Sequence, residues 1–89
     1  MPYFTYILRN PQGRFYIGQT DDLVLRLLRH NQDEVFSTKS RGPWTMVWSK
    51  EFATRAEAMA EEKRLKAMKS RKALDALVAQ QVESRQSRD

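Results

Sequence analysis

Cysteine is absent from this sequence of 89 residues. Neither disulfide bonds nor a thiolate zinc site can therefore stabilise the fold, and packing has to suffice. Apolar runs are also short, and none approaches the roughly 20 residues of a membrane-spanning helix. The amino end, residues 1–4, lacks the basic-then-apolar order of a secretion signal. We expect a soluble, cytoplasmic protein with no membrane partner.

Several common catalytic arrangements are missing as well. The sequence has no glycine-rich phosphate loop, no Ser/His/Asp arrangement and no cysteine nucleophile. Its carboxylates and its one histidine form no cluster with the ligand count of a zinc site or of an all-protein calcium site. A bound metal ion would have to rely on one carboxylate, waters and a phosphate of the ligand. This coordination is typical of magnesium or manganese.

An excess of positive charge is present on this short chain. Lysine and arginine number 16 against 11 aspartates and glutamates, a net charge of +5, which suits a polyanionic partner but is also common for solubility alone. Six basic residues and no acidic one lie in a single stretch, namely Lys63, Arg64, Lys66, Lys69, Arg71 and Lys72. With 40% apolar residues, a chain of this length forms one domain around one core.

The first part of the chain predicts a hairpin followed by a helix. Residues 3–8 and 15–18 are rich in aromatic and β-branched residues, and residues 10–13 between them have the composition of a turn. After the second strand the apolar period changes. Residues 20–22 offer a cap for a helix over about residues 23–30.

The second part predicts a loop, a strand and two helices. Residues 32–43 show no period and form a loop, and residues 44–52 form a third strand. Thr54 and Glu57 have the spacing of a capping box, which opens a helix from Arg55 to about Met68. Ser70 caps a further helix to about Val78.

Residues 80–89 have almost no apolar content. We expect a frayed or disordered tail there, beyond a domain of residues 1–79. The predicted order of elements is β-β-α-β-α-α, which describes an α/β (α+β) fold with a small three-stranded antiparallel sheet flanked by helices.

The first helix is amphipathic and has a cationic side. On a helical wheel its apolar arc consists of Leu23, Val24, Leu27 and Leu28, and a neighbouring arc of Arg26, Arg29 and His30. Arg26 and His30 are four residues apart, so a guanidinium and an imidazole would be able to converge on one phosphate. A solvated polar face explains the same spacing, and both interpretations stay open.

Two glutamates, Glu61 and Glu62, lie near the buried side of the second helix. A carboxylate in such a place is costly unless it is paired or binds a metal ion. The alternative is an ordinary ion pair with Arg64 or Lys66 one turn further on, which contributes only tenths of a kcal/mol. Spacing alone does not distinguish these two roles.

The aromatic residues of the strands are explained first by packing. Tyr6 and Tyr16 nevertheless form a pair, because a hairpin that is nearly symmetric about residues 11–12 places both on one face of the sheet. Trp44 and Trp48 are four residues apart, so a regular strand would also place them on one face, as core or as a stacking edge.

Four spaced motifs together resemble the GIY-YIG nuclease superfamily, and are closest to its short, stand-alone bacterial proteins. They are Thr5-Tyr6-Ile7, Tyr16-Ile17-Gly18, Asp22-Leu23-x-x-Arg26-x-x-x-His30 and Ala58-x-x-x-Glu62-x-x-Leu65-Lys66. The resemblance covers residues 3–78. This part of the chain is also similar to the GIY-YIG domain of the excision-repair endonuclease subunit. Thr5 stands where the name-giving glycine would be.

This resemblance implies a metal-dependent endonuclease that hydrolyses DNA, with a place in DNA repair. Tyr6 and Tyr16 would orient or deprotonate the attacking water, and Arg26 would hold the scissile phosphate. His30 corresponds to an accessory histidine found in part of the superfamily. Glu62 would ligate a single Mg²⁺ or Mn²⁺ ion.

DNA binding is expected from the basic residues outside this catalytic set, namely Arg29, Lys39, Arg41, Lys63, Lys66, Lys69 and Lys72. Larger superfamily members carry extra DNA-binding domains, and we expect none in this chain. Substrate choice would come from the cleft, from the basic stretch, or from a protein partner or homodimer. A catalytically idle nucleic-acid-binding module and a protein-interaction domain are the alternatives of a different class.

Overall fold

The computed structural model describes residues 1–68 and 70–86. Its elements are β1 (Tyr3–Arg9), β2 (Phe15–Thr20), α1 (Leu23–Asn31), a short 3-10 turn (Phe36–Thr38), β3 (Thr45–Phe52), α2 (Arg55–Ala67) and α3 (Arg71–Gln86). The strands form one antiparallel sheet in the order β2-β1-β3. The predicted α+β fold and the order β-β-α-β-α-α are confirmed.

The turn between β1 and β2 is organised by the side chain of Asn10. Its oxygen accepts hydrogen bonds from the backbone N–H groups of Gln12, at 3.1 Å, and Arg14, at 2.8 Å. Gly13 follows with a φ of +81°, which glycine adopts without the strain that a side chain would bring. The predicted turn therefore has a specific cause in one asparagine and one glycine.

The hairpin register places the two tyrosines of the motifs together. Tyr6 lies opposite Gly18, and Leu8 lies opposite Tyr16. Because side chains alternate along a strand, Tyr6 and Tyr16 project from the same face as diagonal neighbours. Their ring centroids are 6.4 Å apart, as the nearly symmetric hairpin predicts.

The sheet carries apolar packing on both faces. Helices α2 and α3 cover the face of Ile7, where the buried cluster consists of Ile7, Ile17, Trp48, Leu65 and Leu74. Helix α1 covers the other face, where Tyr6, Leu8 and Trp44 pack with Tyr16, Leu23, Leu27 and Met46. Complete burial of one side chain such as Leu65 contributes about 1.5–3 kcal/mol.

An irregularity in β3 separates the two tryptophans. Trp48 pairs with Ile7, whereas Leu8 pairs with Met46, so the register shifts between neighbouring residues of β1. The extra residue of this bulge reverses the side-chain alternation. Trp48 packs in the cluster of Ile7 and Trp44 packs in that of Tyr6. The prediction that the two tryptophans share a face is therefore wrong.

Helix α1 is rotated relative to the predicted apolar arc. Leu23 and Leu27 pack against the sheet, but Val24 is 82% exposed and Leu28 is 49% exposed. His30, assigned to the cationic arc, is fully buried. The stripe that faces the sheet therefore contains polar residues, and a solvated-face interpretation is wrong for it.

The ends of the last two helices are set by side chains. The capping box of α2 is confirmed, since Thr54 and Glu57 exchange both hydrogen bonds. Ser70 Oγ accepts from the backbone N–H of Ala73 at 3.2 Å, as predicted.

Helix α3 extends to Gln86, so its predicted end at about Val78 is wrong, while the expectation of a frayed segment over residues 80–86 stays a prediction. Residues 87–89, also part of the predicted tail, lie outside the described residues. Within the described part of the chain, no helix is both long enough and apolar enough to cross a membrane.

Candidate functional site

The hydroxyl group of Tyr6 is the centre of the candidate site. Tyr6 is fully buried in the middle of β1. Arg26 Nε donates a hydrogen bond to the Tyr6 hydroxyl at 3.2 Å, and His30 Nε2 lies 2.8 Å from the same oxygen. The spacing of one helical turn brings Arg26 and His30 to one side of α1. Arg26 and His30 thus converge on a phenol oxygen, and their predicted convergence on a phosphate stays a prediction.

The other nitrogen of His30 is held by a residue that the sequence analysis missed. His30 Nδ1 lies 2.7 Å from the hydroxyl of Thr38, and both residues are buried. Thr38 donates its own hydroxyl hydrogen to the carbonyl of Val35 at 3.4 Å, so it accepts from His30 Nδ1–H. Nε2 is then free to accept the hydroxyl hydrogen of Tyr6. The loop after α1 therefore fixes the tautomer and the orientation of the imidazole.

Burial and charge set the protonation states of this group. Burial raises the pKa of Tyr6 to about 12, against the opposing effect of Arg26. Burial, and then the charge of Arg26, lowers the pKa of His30 to about 4. The hydrogen bond to Tyr6 raises the pKa of Arg26 above its ordinary value. At neutral pH the site presents one guanidinium cation beside a neutral phenol and a neutral imidazole.

Glycine is required opposite Tyr6 for steric reasons. A Cβ atom on Gly18 would lie 2.6 Å from the Tyr6 hydroxyl oxygen and 2.8 Å from its Cζ atom. The ring of Tyr6 thus crosses directly over the backbone of β2. The Tyr16-Ile17-Gly18 motif combines an aromatic residue with this gap for the neighbouring ring.

Tyr16 completes the aromatic wall of the site. Its ring contacts the His30 ring edge-on, with centroids 4.8 Å apart, and packs against Trp44 at 6.4 Å. Tyr16 also contributes weakly to raising the pKa of Arg26, both by charge and by hydrogen bonding. The structure therefore brings together Tyr6, Tyr16, Arg26 and His30 from three elements.

Glu62 lies on α2, near enough for its negative charge to contribute to the raised pKa of Tyr6. Its side chain is 23% exposed, and its carboxylate forms an ion pair with Lys66 at 2.6 Å. The neighbouring Glu61 binds Arg64 through both carboxylate oxygens, at 2.8 and 2.7 Å. The ordinary ion pairs proposed for these glutamates are confirmed for both.

A metal ion would find one protein carboxylate at this site. In the ranges 1–68 and 70–86, no group of three His, Cys, Asp or Glu side chains could hold a metal ion. One carboxylate with waters and a phosphate suits Mg²⁺ or Mn²⁺ but not a zinc site closed by protein ligands. The donor set at Glu62 fits such an ion, provided that Lys66 releases the carboxylate.

The basic residues predicted to bind nucleic acid lie around the surface. Those that the structure describes are exposed, namely Arg29, Lys39, Arg41, Lys63, Lys66 and Lys72. Lys69 lies outside the described residues. The basic stretch is divided, because α2 ends at Ala67 and α3 begins at Arg71. Its binding role remains a prediction.

A second residue missed by the sequence analysis is Arg55, at the start of α2. Its Nη1 donates to the side-chain oxygen of Gln19 at 3.1 Å, and its guanidinium lies 4.6 Å from the ring centroid of Tyr3. Arg55 lines a surface hollow together with Arg26 and Arg29. These contacts join α2 to the hairpin, and no local sequence pattern predicts them.

Comparison with known proteins identifies a matching family and several similar proteins. The GIY-YIG catalytic domain, as a family, matches residues 2–74. A UPF0213 protein of Bacillus pumilus is 37% identical over 65 residues, which cover 72% of this chain and 66% of that protein. A UPF0213 protein of Listeria monocytogenes is 35% identical over 83 residues, which cover 92% of this chain and 92% of that protein.

A solved structure is similar as well. The solution NMR structure of a UPF0213 protein from Bacillus halodurans superposes with a TM-score of 0.57 and 32% sequence identity, over 89% of this chain and 84% of that one. The name UPF0213 specifies neither a reaction nor a substrate. These relatives therefore support the fold and the motifs, while the chemistry has to be argued from the site.

Proposed function

The chain belongs to the GIY-YIG family, and on this premise we propose that it is a divalent-metal-dependent endonuclease that hydrolyses phosphodiester bonds of DNA. The observation that carries the proposal is the convergence of Arg26 and His30 on the buried hydroxyl of Tyr6. Taking a guanidinium and an imidazole out of water costs free energy. Perturbed, partly buried groups of this kind are characteristic of reaction sites.

Arg26 binds the scissile phosphate in this proposal. Its Nε is engaged by Tyr6, which orients the planar guanidinium and leaves the two terminal nitrogens to donate to phosphate oxygens. A guanidinium fixed before the substrate arrives stabilises the charge that develops on the phosphate during attack.

The tyrosines position the attacking water. Tyr6 stays protonated at neutral pH because its pKa is raised to about 12, so it orients neighbouring groups and is not the base of the resting enzyme. Tyr16 lies beside both His30 and Arg26, and its hydroxyl is the one we assign to the water. His30 and Thr38 act on the reaction through Tyr6, as positioning residues.

Glu62 holds the divalent ion in this proposal. Such an ion, when bound, polarises the phosphate and stabilises the leaving oxygen. The ion pair of Glu62 with Lys66 is partly exposed, and pairs of this kind contribute at most about 1 kcal/mol. Lys66 can therefore leave the carboxylate at little cost, and its ammonium group is then free to contact DNA.

The same ion pair favours a second candidate function, a nucleic-acid-binding module without catalysis. In that case Lys66 stays on Glu62 and the cleft binds phosphates only. The two candidates differ in their need for metal, because phosphate binding through arginine and lysine requires no divalent ion.

A cleavage assay separates them. We would incubate the protein with single-stranded, duplex, branched and damaged DNA and with RNA, in Mg²⁺ or Mn²⁺ and in a chelator. The endonuclease cuts at least one DNA in the presence of the metal and none in the chelator. Binding to DNA without cleavage under every condition would support the idle module. A preference for damaged DNA would support a role in repair.

A further inference from the structure

A hollow lined in part by Arg26 extends beyond the residues to which the proposed reaction gives a role. It lies between the end of β2, the first turns of α1 and the start of α2, and its charged or amide lining consists of Gln19, Asp21, Asp22, Arg26, Arg29 and Arg55. Its volume is about 190 Å³, several times the roughly 30 Å³ that one water occupies in the liquid. The space is sufficient for a phosphate group with some of its waters.

The cations of this hollow are available to a ligand. Over the described residues the ion pairs join Arg64 to Glu61, Lys66 to Glu62 and Arg71 to Asp75. Hence no carboxylate of the described residues forms an ion pair with any of the three arginines that line the hollow. Asp21 and Asp22 line the hollow too, and the carboxylate of Asp22 accepts from the backbone N–H of Leu25 at 3.0 Å as the cap of α1.

Arg55 has two side-chain partners before any ligand binds. Gln19 accepts one of its N–H groups at 3.1 Å, and its guanidinium is stacked on Tyr3 at 4.6 Å from the ring centroid. A cation held in this way loses little side-chain freedom on binding. It is also the first residue of α2, where the helix dipole favours anions.

We propose that Arg55, held by Gln19 and Tyr3, binds the DNA phosphate adjacent to the one held by Arg26. This inference rests on the proposed function, because it needs a strand whose scissile phosphate lies on Arg26. The hollow is continuous with Arg26, so the next phosphate of that strand meets a second guanidinium. Arg55 is thereby a determinant of how the strand is placed, without a part in the bond cleavage itself.

The first test measures binding in a chelator, so that no cleavage interferes. Fluorescence anisotropy gives the affinity for a short labelled DNA at several salt concentrations. Each phosphate contact contributes about 0.7–0.9 to the slope of log affinity against log salt. Arg55→Ala is expected to lower the slope by this amount. Arg14→Ala removes the same charge at the hairpin turn and is expected to leave the slope unchanged.

The second test locates the phosphate. In a DNA whose cleavage position is known, one phosphate beside the scissile bond is replaced by a neutral methylphosphonate, on each side in turn. On one of the two sides, the replacement is expected to weaken the binding of DNA by the wild-type protein. The same replacement is expected to leave the affinity of Arg55→Ala for DNA unchanged, because that variant has already lost the contact. Equal weakening of both proteins by each replacement would overturn the proposal.

Controls separate this proposal from the proposed function and from misfolding. Arg55→Met keeps the length of the side chain and serves if thermal melting shows that the alanine variant is unfolded. The wild-type protein could cleave DNA while Arg55→Ala shows an unchanged salt slope. That result would overturn the phosphate contact of Arg55 and would agree with the proposed nuclease activity. A lowered slope in a protein that never cuts contradicts the nuclease and overturns the placement of Arg55 beside a scissile phosphate, leaving Arg55 as a phosphate contact alone.

Discussion

Arg26 is the residue in which the shape of the side chain matters as much as its charge. Its Nε is bound to Tyr6, and the remaining nitrogens form a planar fork that an ammonium group cannot reproduce. We predict that Arg26→Lys lowers the rate of DNA cleavage by about a hundredfold or more while the affinity for DNA changes only a few fold. Single-turnover cleavage and anisotropy on the same DNA give the two values. Full cleavage by the lysine variant would show that Arg26 has no contact with the reacting phosphate.

Gly18 is required because of Tyr6. The missing Cβ would lie 2.6 Å from the Tyr6 hydroxyl oxygen, so Gly18→Ala displaces the ring and is expected to cost about 1–3 kcal/mol. The cost should be smaller in a Tyr6→Phe background, in which the nearest clashing atom is gone. Chemical denaturation of the four proteins gives both values. Equal costs in the two backgrounds would mean that the Tyr6 hydroxyl oxygen is not the obstacle.

His30 makes folding dependent on pH. Its pKa is about 4 in the folded protein and 6.5 in an ordinary environment, so the unfolded chain binds a proton more readily than the native one. Stability from this source is complete above pH 6.5 and is lost as the pH falls toward 4. Between pH 7 and pH 5 we expect a loss of about 2 kcal/mol.

Comparison with His30→Gln isolates this effect from the carboxylates, which titrate in both proteins. The free energy of unfolding, measured by denaturant titration at several pH values, is expected to fall less steeply in the variant. Parallel pH profiles for the two proteins would contradict a buried, neutral His30.

At the scale of elements, one amide adds two hydrogen bonds to the apolar packing of α3 against β3. Gln81 accepts from the backbone N–H of Ser49 at 3.0 Å and donates to its carbonyl at 2.7 Å. We predict that Gln81→Ala lowers the melting temperature by about 5 °C or more, because each bond contributes about 1 kcal/mol. Gln80→Ala, at the exposed neighbouring position, is the matched control. Identical melting of the two variants would exclude a structural role for Gln81.

Elements that rest on neighbouring residues were predictable from the sequence. Spacing in the sequence predicts the capping box of Thr54 and Glu57 and the cap at Ser70. It also predicts the pairing of the motif tyrosines across a short hairpin. Local chemistry determines all of these.

Elements that depend on distant partners were not predictable in this way. The bulge in β3 follows from its pairing with β1, and α3 continues because Gln81 meets Ser49. In the site, Thr38 and Arg55 act through residues from other elements. The sequence contains no periodic signal for such tertiary contacts, whereas Arg26 and His30 share one helix and were found by their spacing.

At the scale of the whole molecule, three elements of a basic protein together form the candidate site around Tyr6. The net charge of +5 suits a polyanionic partner, and β1, β2 and α1 bring Tyr6, Tyr16 and Arg26 together. Helix α2 adds the one carboxylate, Glu62, whose charge reaches Tyr6. The central claim is that this carboxylate binds a divalent ion and so makes the assembly a nuclease.

Glu62→Gln compared with Glu61→Gln tests this claim most directly. Both changes remove one carboxylate from an exposed ion pair of α2, so both variants should fold and bind DNA as wild type does. The measurement is the single-turnover rate of DNA cleavage in Mg²⁺ or Mn²⁺, with melting curves and anisotropy on the same samples. Glu62→Gln is expected to lose at least about a hundredfold in rate, since a catalytic metal ion contributes several kcal/mol, and Glu61→Gln to keep its rate. Cleavage by folded Glu62→Gln at the wild-type rate would contradict the account.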